Sequence, residues 1–149
     1  MIRKSIILIS LIFFLTNCGF TPVYLKNTNV NFSIEQVDYT GDRELNNFLK
    51  TNLNQYKNKQ INNKIYIEAN SNYKKIILSK DGVGGVTNYQ LEAEVIFLIK
   101  PLNRKIIISE KKIMDSIDDK FEEARKERLI KKSFASSISS KLTSEIIIN

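Results

Sequence analysis

The sequence predicts an α+β fold: a two-layer sandwich of order β-α-β-β-β-α, with two helices packed on a four-stranded, mainly antiparallel sheet. Three patterns predict it. Leu45, Phe48, Leu49 and Leu53 recur at one-face helical spacing, with Asn46, Asn47, Lys50 and Asn54 opposite. Ile65, Ile67 and Ala69 alternate with Tyr66 and Glu68, and Leu91, Ala93, Val95, Phe97 and Ile99 share one face of a later segment. Ile130, Phe134, Ile138, Leu142 and Ile146 step by four residues, a stripe that winds slowly around a long helix.

Taken in order, the first strand is expected over 31–39, carried by Phe32, Ile34 and Val37. Gly41-Asp42 breaks it, and Asp42 is placed to cap the helix that follows. That helix should end near Tyr56, where Lys57 to Gln60 and Asn62-Asn63 form a polar loop. A strand then runs over 64–73, and 75–79 either extends it or restarts it after a bulge near Ser71-Asn72. Asp81-Gly-Val-Gly-Gly-Val86 must turn or loop, because its glycines hold a strand poorly. Strands over 87–100 and 105–116 follow, joined by a turn at Pro101-Leu-Asn103. The final helix spans about 120–147. Residues 31–149 therefore read as one domain, with no repeat.

The segment before that domain has a different character. Arg3 and Lys4 precede an apolar run, Ser5 to Leu15, that is short for a membrane span. Residues 1–17 have the layout of a bacterial secretory signal peptide, or else of an uncleaved anchor. The run ends Leu15-Thr-Asn-Cys18-Gly19, and Cys18 is the only cysteine among 149 residues. A lone cysteine in an exported chain makes no internal disulfide. Its setting resembles the lipobox of bacterial lipoproteins, which implies a lipid on the Cys18 thiol. Asn17 departs from that pattern, where Gly, Ala or Ser is preferred. Gly19, rather than Asp, after the cysteine implies the outer membrane. Residues 18–30, with Pro22 and several asparagines, read as the lipidated end and a linker.

Composition excludes much chemistry. No histidine occurs, which removes the commonest general base and most zinc sites. Asp118-Asp119 and Glu122-Glu123 flank a helix start, where carboxylates stabilise the dipole. The loop Asp81-Gly-Val-Gly-Gly85 lacks the spacing of a phosphate loop and is followed by a strand. No enzyme activity and no cofactor are expected. The loss of Arg3 and Lys4 takes 23 basic side chains to 21 against 16 acidic ones, a net +5. That surplus suits phosphate-bearing partners, whereas export and the lack of any reading motif exclude nucleic acid.

Cys18-Gly-Phe-Thr-Pro-Val-Tyr24, the stretch Thr87-Asn-Tyr-Gln-Leu91 after a loop, and a Lys-rich final helix together resemble the LptE family of lipopolysaccharide-assembly lipoproteins, in its alphaproteobacterial form. The resemblance implies two helices on a four-stranded sheet, the order derived above. It also implies a partner, the outer-membrane β-barrel LptD, which family members plug and help to assemble while lipopolysaccharide passes to the cell surface. Basic residues of the family that contact lipopolysaccharide fall on Lys80, ahead of the glycine loop, and Lys131 in the final helix. Each is otherwise an ordinary solvated lysine. The alternative function is a stand-alone envelope lipoprotein that binds a small ligand or peptide.

Overall fold

The computed structural model of the chain describes residues 32–57 and 60–148. The expected signal peptide, Cys18 and the expected linker lie outside the described residues. Four strands and two helices follow in the expected order: β1 (Ser33–Gly41), α1 (Arg43–Leu53), β2 (Lys64–Lys80), β3 (Val86–Lys100), β4 (Arg104–Asp115) and α2 (Lys120–Ile148). The sheet order is β1-β2-β3-β4. β1 runs parallel to β2, as a strand-helix-strand unit requires, and the other two pairings are antiparallel.

The β1–α1 corner is set by local chemistry. Gly41 has φ +92, and a Cβ there would stand 1.8 Å from the Ser71 carbonyl oxygen. Only glycine lets β1 approach β2 this closely while turning out of the sheet. The Asp42 N–H then donates to Ser71 O at 3.1 Å, and Asp42 Oδ1 accepts from the Leu45 N–H at 2.7 Å. Asp42 is thus the N-cap. A single 3-10 turn, Asn54–Tyr56, extends α1, and the Tyr56 ring stacks on Phe32.

Both helices lie on the same face of the sheet. Leu45, Leu49 and Leu53 of α1 and Ile130, Phe134, Ala135, Ile138 and Leu142 of α2 are buried on Ile67, Ala69, Val95, Phe97 and Ile108. Ile146 closes the end of the stripe half-buried. Among the described residues, no helix lies on the outer face of the sheet.

β2 outruns β1. β1 pairs only as far as Ser71, because the chain leaves the sheet at Gly41. β2 continues to Lys80 with β3 as its sole partner. The irregularity expected near Ser71-Asn72 lies further on: Ile77 pairs with Tyr89 and Ser79 with Asn88, so Leu78 is the extra residue. At Ser71, packing wins over turn propensity, since its hydroxyl donates to Thr40 O at 3.2 Å and is buried in the corner.

Candidate functional site: the hairpin end and the open sheet face

The register places Tyr66, Ile76, Ile96, Leu98, Ile107 and Ile113 on the face opposite the helices, since each is out of phase with the core residues of the sheet. Ile107 and Ile113 are 55% and 59% exposed, and Tyr66 is 47% exposed. Ile96 lies beside Ile107 across the β3–β4 pair. Charges border this apolar row: Lys111 pairs with Glu92 at 2.9 Å, and Lys100 pairs with Glu68. The Lys111 bond, helped by Gln90, holds the Glu92 carboxyl below its ordinary value.

The β2–β3 hairpin ends in a compact turn. Asp81 Oδ1 accepts from the N–H groups of Val83 at 3.0 Å and Gly85 at 2.7 Å, and the Asp81 N–H donates to Gly85 O. Gly84 takes φ +91. Of the turn or loop expected here, the structure forms a turn built on one carboxylate. Behind it, Ile76, Ile77 and Leu78 are 41% to 50% exposed, and Val83 at the tip is 94% exposed. Lys74 and Lys80 are exposed beside them. Ile76 and Ile77 still point to opposite faces and the bulge at Leu78 follows them, so three successive aliphatic side chains reach the surface where β2 has run past β1. The only sequence signal for this was an aliphatic triplet that breaks the alternation of β2.

Lys80 and Lys131 are not brought together. Lys80 stands at the end of β2, with no bonding partner among the described residues. Lys131 is 7% exposed. Its ammonium lies 3.0 Å from Glu44 Oε2, 3.7 Å from Asp42 Oδ2 and 4.0 Å from the centre of the Tyr73 ring. Its charge is matched inside the fold, where it ties α2 to α1 and β2.

Lys131 is one step of a ladder along the first half of α2. Glu127 accepts from the Tyr73 hydroxyl at 2.9 Å and from Lys75 at 2.9 Å. Glu123 is buried and accepts from Lys75 at 3.0 Å, Lys120 at 3.2 Å, and the Ser116 hydroxyl and Ile117 N–H at 3.1 Å each. Burial alone would raise the Glu123 pKa, but these donors outweigh it and bring it down to about 2. Burial, with the Glu127 bond second, pushes the Tyr73 phenol well above its ordinary range. Asp119 caps the helix, accepting from Phe121 N–H at 2.8 Å. Of the paired acids, Glu123 does more than favour a dipole, because it anchors α2 to β2.

Among the described residues no group of His, Cys, Asp or Glu could hold a metal ion, and no helix is long and apolar enough to cross a membrane. Together the open face and the hairpin end present exposed aliphatic side chains bordered by lysines.

No family model matches the chain, and no curated protein matches its sequence. Solved structures do. The chain is similar to the rare lipoprotein B of Shewanella oneidensis at 15% identity and a TM-score of 0.56, over 75% of this chain and 93% of that one. It is similar to lipoprotein B of Nitrosomonas europaea at 17% identity and 0.55, over 79% and 86%. A minor lipoprotein of Acinetobacter baumannii matches at 14% and 0.53, over 77% and 94%. At such identities the likeness shows a shared fold.

Proposed function

We propose that this chain is an outer-membrane lipoprotein, anchored through Cys18 on the periplasmic side, that plugs an LptD-like β-barrel, assists its assembly and helps to deliver lipopolysaccharide to the cell surface. The observation that carries this reading is the uncovered sheet face with Tyr66, Ile107 and Ile113 bare. An apolar row of this kind on an exported domain calls for a protein wall against it. The fold shared with three lipoproteins, the Cys18 setting and the resemblance to the LptE family all support it. In this reading Lys80 meets the lipid A phosphates as a point charge, while Ile76, Leu78 and Val83 cover acyl chain. Lys131 would reach a phosphate only by leaving Asp42 and Glu44.

The test is capture of the tagged, full-length chain from membranes after mild crosslinking. The expected result is a large outer-membrane barrel in the eluate, an acylated Cys18 as the mature N-terminus by mass spectrometry, and lipopolysaccharide held back in the periplasm on depletion. Recovery of a free monomer alone would overturn the barrel reading. It would leave the stand-alone binding lipoprotein in its place.

A further inference from the structure

β4 is an outer strand of the sheet, paired only with β3. The Ser116 N–H donates to Thr87 O at 2.8 Å, so antiparallel alternation turns the backbone groups of the even-numbered β4 residues toward β3. The N–H and C=O groups of Lys105, Ile107, Ser109, Lys111 and Ile113 therefore point away from the sheet. Among the described residues none of these groups has a hydrogen-bond partner. Such a row is a template for another strand, and lysines along an edge are the usual protection against it. Here the charges stand at two ends, Arg104 and Lys105 at one and Glu110, Lys111 and Lys112 at the other. The stretch between them, Ile106-Ile-Ile-Ser109, carries none.

The flank of α2 above this stretch is cut back. A groove of about 470 Å³ runs between Ile106–Ser109 and the side chains of Ser140, Lys141, Ser144 and Glu145. Lys141 is drawn down to Glu110 at 2.7 Å and Glu145 to Arg104 at 2.8 Å, which leaves Ser140 and Ser144 as the exposed flank. The core is also least closed here. Ile106 and Ile108 are 8% and 7% exposed, whereas Phe97 and Val95, their partners on β3, are at 0%.

The sequence of this edge is complementary to itself. An antiparallel second β4 with Ile107 opposite Ile107 sets Arg104 against Glu110, Lys105 against Ser109 and Ile106 against Ile108. That register also brings the outward residues of both strands into hydrogen-bonded pairs. A slip of two residues one way opposes Lys105 to Lys111 and Arg104 to Lys112, and like charges directly opposite are destabilising. The same slip the other way loses the Arg104–Glu110 pair, and in-register parallel pairing sets each lysine against itself. Adjacent strands lie about 4.8 Å apart. Because α2 lies over β4 and β3, the α2 of the second copy then comes to helix-packing distance, about 8–10 Å, which Ser140 and Ser144 are small enough to permit.

We propose that the chain forms a two-fold homodimer through the β4 edge, with the axis at Ile107 and one continuous sheet running through both copies. The dimer uses the edge of the sheet and leaves its outer face open, so it does not depend on any barrel partner.

The experiment weighs the full-length chain in detergent micelles by sedimentation, with the detergent contribution matched out. The parent should have the mass of two chains. Ser109→Pro should have the mass of one with an unchanged far-UV spectrum, because the N–H that it removes faces outward and is not part of the β3–β4 ladder. An independent arm oxidises single-cysteine replacements on β4. Ile107→Cys should link two chains at position 107, as read by mass spectrometry, since directly opposite residues of a hydrogen-bonded pair lie about 5.5 Å apart at Cα, within disulfide reach. Lys111→Cys, on the same face but far from the axis, should link at least tenfold less. If Ser109→Pro does not fold, the cysteine pair decides alone. A parent with the mass of one chain overturns the proposal and leaves the edge to a strand of a different protein. A dimer that survives Ser109→Pro, or equal linking at positions 107 and 111, also overturns it.

Discussion

Gly41 shows how much of this fold rests on one missing methyl group. Its φ of +92 and the 1.8 Å approach of a built Cβ to the Ser71 oxygen mean that any side chain strains the backbone and pushes β1 from β2. Gly41→Ala should therefore cost at least about 1–3 kcal/mol, read as a lower urea midpoint with an unchanged slope. A midpoint equal to that of the parent would show that the corner relaxes freely. Gly41 and the Asp42 cap were legible in the sequence because they act on neighbours within a few residues. Lys131 was not. Its partner Glu44 lies 87 residues away, and nothing near Lys131 in the chain distinguishes it from the exposed Lys132. An ion pair across elements leaves no local pattern, so a lysine that reads as surface charge becomes a tie between two helices and a strand.

At the scale of the element, α2 is two helices in one. Its later turns are held by the apolar stripe from Ile130 to Leu142, and that stripe was readable as a step of four. Its first turns carry no such stripe. Phe121 is 75% exposed and Leu129 59%, and the face toward β2 offers Glu123 and Glu127 to Lys75 and Tyr73. This half is held by charge, so it should respond to acid. The folded pKa of Glu123, about 2, lies below its ordinary value of 4.5. The stability that it contributes is thus complete above about pH 4.5 and is lost as the pH falls toward 2. Glu123→Gln should unfold at lower urea than the parent at neutral pH, and the gap should narrow across that acid window. A gap that stays constant from pH 7 to pH 2 would mean that the carboxylate charge contributes nothing. Hydrogen exchange should rise first in residues 120–128, because the apolar stripe further along does not titrate.

For the whole molecule, the decisive fact is that both helices cover one face. The layer order was legible, since alternation and helical period are both properties of single segments. The open face was legible only as an inconsistency. Val95 to Ile99 and Ile106 to Ile108 are continuous apolar runs, a pattern suited to strands covered on both sides, yet the helices among the described residues cover only one. The structure places Val95, Phe97 and Ile106 inward and Ile96, Leu98 and Ile107 outward. Ile107 and Ile113 lie outside the core, so replacing both with Asp should lower the thermal midpoint only modestly, by the strand-propensity cost of about 1 kcal/mol each. The same double variant should lose most of the barrel recovered by crosslinking, because two carboxylates would be desolvated against the partner's wall. Lys80→Glu should keep the barrel and reduce lipopolysaccharide retention, which separates the hairpin end from the sheet face. If Ile107→Asp/Ile113→Asp captures the barrel as fully as the parent, the open face is not the contact, and a partner must be sought at the helices instead.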